Sequence, residues 1–171
     1  PDLEPAYYEL AGARIAQDKA AEALKVLEKA RGLFKVSFIL EFYSGLAQNR
    51  LKNYAKAAAH LTSAELLARR DEPERLTPTF FFQAGATHER NKNHADAEKY
   101  FEQCLKLAPD FADALNYLGY MWAERGTNLS RAKVMIEKAV QLEPENAAFE
   151  DSLGWVFFKL GQPKEALPWL L

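Results

Sequence analysis

Apolar residues recur along the chain in paired stretches of about 12 to 14 residues, with the spacing of one helix face. A short polar turn separates the two stretches of a pair, as at Lys52-Asn53 and Lys92-Asn93. Each pair is therefore predicted to form a helical hairpin, and such hairpins bury their apolar faces by stacking on one another. The predicted hairpins span residues 4–37, 38–71, 78–111 and 112–146, with a partial hairpin at 147–171 and an extended loop at 72–77.

The hairpins share a register of small and large side chains when each is numbered from its own first residue. The eighth position is always small: Ala11, Gly45, Gly85, Gly119 and Gly154. The twentieth is always alanine, if one extra residue is allowed in the fourth turn: Ala23, Ala57, Ala97, Ala132 and Ala166. The twenty-fourth is always large: Leu27, Leu61, Phe101, Ile136 and Leu170. Small residues let two helix backbones approach closely, and the large residue fills the space beside them.

This pattern resembles the tetratricopeptide repeat, a unit of about 34 residues. That family has large residues at positions four and seven, a small one at eight, an aromatic one at eleven, alanine at twenty and twenty-seven, and proline at thirty-two. The fourth hairpin matches at Leu115, Leu118, Gly119, Trp122, Ala132, Ile136, Ala139 and Pro144. Glu41, Ser44 and Glu150 depart from it. The resemblance covers the whole chain, is strongest to bacterial repeat proteins, and implies an all-α, right-handed superhelical solenoid of antiparallel helical hairpins.

The two ends of the sequence predict that this single solenoid domain is a fragment of a longer array. Pro1 falls on the thirty-second position of a repeat that would precede the first hairpin, and the chain stops at Leu171 within a second helix. Trp169, Leu170 and Leu171 would then lack the following repeat that covers such residues. Because exposed apolar ends attract each other, we expect end-to-end self-association of the fragment.

Composition and charge exclude several classes of function. A chain of 171 residues with 49% hydrophobic residues can bury a core. Its net charge of -2 offers no basic face for nucleic acid. No apolar run approaches the roughly 20 residues of a membrane helix, so we expect a soluble chain without membrane insertion, either cytoplasmic or periplasmic. Cys104 is the single cysteine, which excludes an internal disulfide.

The reactive side chains show no arrangement typical of an enzyme. His60, His88 and His94 are the three histidines, and none has the spacing of a metal-ligand pair. Cys104 stands where three other hairpins have alanine, which indicates a small core residue. The sequence also lacks a Gly-rich phosphate-binding loop and a serine nucleophile elbow. We therefore predict no catalytic residue, no metal and no cofactor.

The resemblance implies that the first helix of each hairpin lines a concave groove for a partner. Positions two, five, nine and twelve of these helices share one face, and position thirteen borders it. The predicted groove consists of Tyr8, Phe42, Asn49, Arg50, Phe82, Glu89, Arg90, Asn116, Tyr120, Trp155 and Lys159. Exposed aromatic side chains rimmed by charge are typical of binding sites. The same rings would also fit as packing between adjacent hairpins.

The residues of this groove favour one kind of partner. One subclass of the family clamps a terminal carboxylate with lysine at position five, where this chain has Tyr8 and Phe42. We predict instead a non-catalytic scaffold for a protein or peptide segment with apolar side chains, whose flanking acids pair with Arg50, Arg90 and Lys159. The alternative is a regulatory or assembly segment of a larger enzyme whose catalytic domain lies outside this chain.

Overall fold

The computed structural model describes residues 3–170, and in that range the chain is all-α, without a strand. A short 3-10 helix, Pro73–Arg75, occupies part of the predicted loop at 72–77. Pro1 and Leu171, from which the sequence predicts a fragment of a longer array, lie outside the described residues. The helices are α1 (Glu4–Ala16), α2 (Ala20–Leu33), α3 (Phe38–Arg50), α4 (Tyr54–Asp71), α5 (Pro78–Arg90), α6 (His94–Leu107), α7 (Ala112–Glu124), α8 (Leu129–Leu142), α9 (Ala147–Lys159) and α10 (Pro163–Leu170).

Polar side chains define where several helices begin. Thr77 Oγ1 accepts a hydrogen bond from the Phe80 N–H at 3.2 Å, and Pro78 is the first residue of α5. Ser37 Oγ accepts from the Leu40 N–H at 3.4 Å at the start of α3. The first helices of the hairpins begin at residues 4, 38, 78, 112 and 147. These are also the first residues of the five hairpins predicted from the sequence.

The chain divides into two compact units. The first comprises the described residues up to Leu76 together with Arg90–Asn93, and the second comprises Thr77–Glu89 with the residues from His94 onward. In the first unit α3 packs against α1, α2 and α4. In the second unit α7 packs against α6, α8 and α9, and α9 also packs against α10. Each helix thus contacts helices close to it in sequence, as in stacked repeats.

Within the hairpins, the small eighth position meets the large twenty-fourth position. A Cβ built at Gly45 would lie 2.9 Å from Leu61 Cγ, which is closer than side chains normally approach. A Cβ at Gly119 would lie 2.7 Å from Ile136 Cγ1 and 3.0 Å from the backbone oxygen of Ala132. The predicted pairing of these two positions is confirmed, and it depends on the absence of a side chain at the glycine.

The departure from the repeat pattern at Glu41 is explained by a buried ion pair. Glu41 is 4% exposed, and its Oε1 accepts a hydrogen bond from Arg31 Nη1 at 2.5 Å. Its Oε2 lies 2.6 Å from His60 Nδ1. Burial by itself raises the pKa of this carboxyl, but the hydrogen bonds from His60 and Arg31 outweigh burial and leave the pKa lowered. Position four of the second hairpin is therefore filled by a paired carboxylate instead of an apolar side chain.

Candidate functional site

A pocket of about 490 Å³ opens in the second unit, between α7 and α9. These two helices supply most of its wall because the lining residues on each lie three or four positions apart and so share a face. The pocket is lined by Glu89, Asn116, Tyr117, Tyr120, Met121, Ala148, Asp151, Ser152, Trp155 and Leu170. Four of the predicted groove residues, Glu89, Asn116, Tyr120 and Trp155, thus lie around one cavity.

Two residues that line the pocket each carry a polar side-chain atom that is buried without a hydrogen-bond partner among the described residues. Asn116 is 8% exposed, and its Oδ1 has no donor nearby. The indole Nε1 of Trp155 likewise has no acceptor. A buried polar atom without a partner costs about 1 to 3 kcal/mol, so proteins seldom keep two in one place. Two residues of the pocket lining therefore each hold an enclosed polar atom whose hydrogen-bonding capacity is unused among the described residues.

Tyr120 is the most exposed aromatic residue of the pocket, at 42%. Partial burial raises the pKa of its hydroxyl, and the carboxylates of Glu124, Asp151 and Glu89 raise it further. The charged groups that act on this hydroxyl are therefore all acidic.

Trp155 is positioned by residues that follow it on α9. Its ring stacks on Phe158, with a centroid separation of 5.4 Å and an interplanar angle of 23°. The ammonium of Lys159 lies 5.4 Å from the centre of the Trp155 ring and donates to the backbone oxygen of Glu124 at 3.2 Å. Lys159, a predicted groove residue, therefore borders the pocket through Trp155 and is held to the end of α7.

Phe82 is placed differently from the other predicted groove residues of the second unit. Its ring centre lies 5.3 Å from that of Phe111, 5.4 Å from that of Tyr117 and 6.1 Å from that of Phe101. Tyr117 lines the pocket, so Phe82 lies behind the wall and supports it. For Phe82 the geometry favours packing between adjacent hairpins over direct contact with a partner.

The first unit holds the remaining predicted groove residues. Tyr8 is buried, and its hydroxyl donates to Glu4 at 2.8 Å and lies 3.2 Å from Ser37 Oγ. Phe42 is half-buried and stacks on Phe38 with a centroid separation of 5.4 Å. Asn49 is half-buried, while Arg50 and Arg90 are exposed.

Several pocket residues belong to positions that the sequence argument did not include. Tyr117 and Ser152 occupy position six of their hairpins, and Met121 occupies position ten. Each is adjacent in sequence to a predicted groove position, so the cavity extends to the flank of the expected face. Leu170 reaches the pocket from α10, and no helical periodicity within the first helices indicates that contribution.

The other reactive side chains of the described residues are not grouped into a second candidate site. Burial raises the pKa of the Cys104 thiol to about 11, which keeps it protonated and supports its interpretation as a small core residue. Between residues 3 and 170, no three His, Cys, Asp or Glu side chains are grouped as metal ligands. None of the helices in this range combines the length and the hydropathy that a membrane span requires.

Comparison with known proteins relates this chain to one repeat family. Residues 78–111, the span of the third predicted hairpin, match the family model of the tetratricopeptide repeat. The chain is similar to the TPR repeat-containing protein PA4667 of Pseudomonas aeruginosa, with 29% identity over 165 residues. The match covers 96% of this chain but only 27% of the length of that bacterial relative.

Solved structures show the same fold. A structure of MamA from Desulfovibrio magneticus RS-1, beginning at its residue 41, has a TM-score of 0.85 at 21% identity and covers 99% of this chain and 92% of its own. The crystal structure of YrrB, described as a TPR protein with an unusual peptide-binding site, has a TM-score of 0.79 at 17% identity. That match covers 95% of this chain and 80% of YrrB. The predicted all-α solenoid of helical hairpins is thereby confirmed.

Proposed function

We propose that this tetratricopeptide-repeat protein is a non-catalytic scaffold that binds a peptide segment of a partner protein in the pocket of its second unit. Stacked helical repeats commonly use their extended surfaces to hold partners. The peptide-binding site for which YrrB is described gives a precedent on the same fold. The chain spans only 27% of the length of its bacterial relative PA4667. Any activity of a longer protein that contains this chain is therefore also a proposal.

The observation that carries the proposal is the single pocket lined by four of the predicted groove residues, two of which, Asn116 and Trp155, hold buried polar atoms without a partner among the described residues. Each residue of an extended peptide, proline excepted, presents one N–H and one C=O. If the two side chains turn toward the bound segment, a peptide N–H donating to Asn116 Oδ1 and a peptide C=O accepting from Trp155 Nε1 would satisfy both atoms. A binding site with buried polar groups discriminates strongly in favour of ligands that complete its hydrogen bonds.

Apolar contact supplies the second part of the proposed binding energy. Tyr120 is 42% exposed and Leu170 is 44% exposed, and both line the pocket. Removing such surface from water contributes roughly 25 cal/mol per Å². Aromatic residues in pockets of this kind are the usual energetic centres of an interface. The favoured ligand therefore has an apolar side chain next to its paired backbone groups.

Replacing Trp155 tests the proposal. Random linear peptides displayed on phage are first selected on the wild-type protein, and the affinities of synthetic copies are then measured by calorimetry. Trp155→Ala is expected to weaken binding by roughly 2 kcal/mol, or about 30-fold, because it removes both the ring and the indole donor. Its helical content should be unchanged, since the Trp155 side chain is only half-buried.

Two further variants separate binding from folding. Leu107→Ala removes an apolar side chain that is 53% exposed in the same unit but does not line the pocket, and it should leave affinity unchanged. Phe82→Ala should lower both stability and affinity, because it removes a ring that supports the wall. Equal affinities for wild type and Trp155→Ala would contradict the proposed site.

A further inference from the structure

We propose that the pocket recognises a basic side chain, arginine or lysine, within the bound peptide. This inference rests on the proposed function and specifies the partner of the same site. It differs from the expectation raised by the sequence, in which Arg50, Arg90 and Lys159 pair with acids of the partner.

The charge of the pocket wall points to a cationic ligand. Glu89 and Asp151 are the charged residues among those that line it, and both are acidic. Together with Glu124 they act on the Tyr120 hydroxyl from α5, α7 and α9. Within residues 3–170 none of these three carboxylates forms an ion pair with lysine or arginine. A basic side chain would therefore meet two lining carboxylates, Glu89 and Asp151, that form no ion pair with lysine or arginine among the described residues.

A buried amide oxygen gives independent support. Asn116 lines the same pocket and is 8% exposed, and its enclosed Oδ1 has no donor among the described residues. Guanidinium and ammonium groups carry several N–H donors and no acceptor, so they suit a wall of carboxylate and amide oxygens. The exposed Tyr120 ring adds a surface on which a cation is stabilised.

Lys159, the basic residue that borders the pocket through Trp155, forms no ion pair with its carboxylates. The Lys159 ammonium donates to the backbone oxygen of Glu124 and lies over the Trp155 ring, but Lys159 does not line the pocket. Its position shows that the rim of the pocket accommodates an ammonium group. Electrostatic complementarity of this kind fixes which partner is accepted and is weakened by salt.

Peptide pools with one fixed position test the inference. Four pools of otherwise random peptides carry arginine, citrulline, norleucine or glutamate at the centre, and binding to the protein is measured at low and at physiological salt. Citrulline has nearly the shape of arginine without its charge. We expect the arginine pool to bind about tenfold more tightly than the citrulline pool, with the difference narrowing as salt is added.

Charge variants assign the preference to the pocket. Asp151→Asn and Glu89→Gln should each reduce the ratio of arginine to citrulline affinity, and together they should abolish it. Glu102→Gln makes the same charge change at an exposed position of α6 outside the pocket and should leave the ratio unchanged.

The outcomes distinguish this inference from the proposed function. If the norleucine or glutamate pool binds best, and Trp155→Ala still weakens that binding, the peptide site stands and the basic preference is wrong. A preference for arginine that survives loss of both Glu89 and Asp151 would also overturn the inference. If no pool binds, the proposed function fails and the inference fails with it.

Discussion

Gly119→Leu is expected to lower the free energy of unfolding by about 3 kcal/mol, at the upper end of the usual cost of overpacking. A Cβ at this position would already lie 2.7 Å from Ile136 Cγ1 and 3.0 Å from the Ala132 backbone oxygen. Ile136 could move aside, but the backbone of α8 could not do so without separating the two helices. Ala132→Leu, at the opposing small position, should be destabilising for the same reason.

Gly32→Leu is the matched control for this substitution. Gly32 lies in α2, and a Cβ there would meet no atom within 4 Å. Because leucine forms helices better than glycine, this variant should be as stable as the wild type or slightly more so. Urea unfolding followed by circular dichroism measures both variants. Equal midpoints for Gly119→Leu and Gly32→Leu would show that close contact of the helices does not explain the small positions.

Glu41→Ala is expected to cost about 3 kcal/mol of stability, because it removes one partner of a buried, hydrogen-bonded ion pair and leaves a cavity. The loss should fall at the low end of the usual range, since Arg31 and His60 keep side chains that are 37% and 28% exposed and can regain water. Glu137→Ala, which removes the acid of the exposed Lys133–Glu137 pair, should cost less than about 1 kcal/mol.

The pH dependence of Glu41→Leu tests the same ion pair. Leucine restores the large apolar residue of the repeat pattern, so the variant should be close to the wild type in stability at neutral pH. The pKa of Glu41 is lower in the folded state than its ordinary value of 4.5, so its stabilising effect is complete above that pH. The effect is lost as the pH falls through the lowered value. The stability of Glu41→Leu relative to the wild type should therefore increase as the pH falls. A stability difference that is independent of pH would contradict the pairing.

The sequence predicted the helical hairpins and their register well because both depend on local periodicity. Small residues such as Gly45 and Gly119 recur at a fixed position, and their close partners, Leu61 and Ile136, recur sixteen or seventeen residues later. Stacked repeats form mostly local contacts, so this information suffices for the fold. Glu41 could not be explained in the same way, because its partners Arg31 and His60 come from neighbouring helices outside its own periodic pattern.

The candidate site was predicted only in part. Asn116 and Tyr120 were expected on the groove face of α7 and Trp155 on that of α9, and the three residues line one pocket. The packing of Phe82 behind Tyr117 depends on Phe101 and Phe111, which lie on α6 and in the loop before α7. The acidic character of the pocket likewise depends on which charged residues are brought together and on where Lys159 is held. The periodicity of a single helix indicates neither the packing between helices nor the charge of the pocket.

The indole N–H signals of the three tryptophans provide the most direct measurement of the proposed binding site. Trp155 lines the pocket and its buried Nε1 has no acceptor among the described residues, whereas Trp122 is fully buried away from the pocket lining. When a phage-selected peptide is added in an NMR titration, the Trp155 indole signal should shift downfield and saturate as it acquires an acceptor, while the Trp122 signal stays in place. Saturable peptide binding that leaves the Trp155 signal unmoved would contradict the assignment of this pocket as the peptide site.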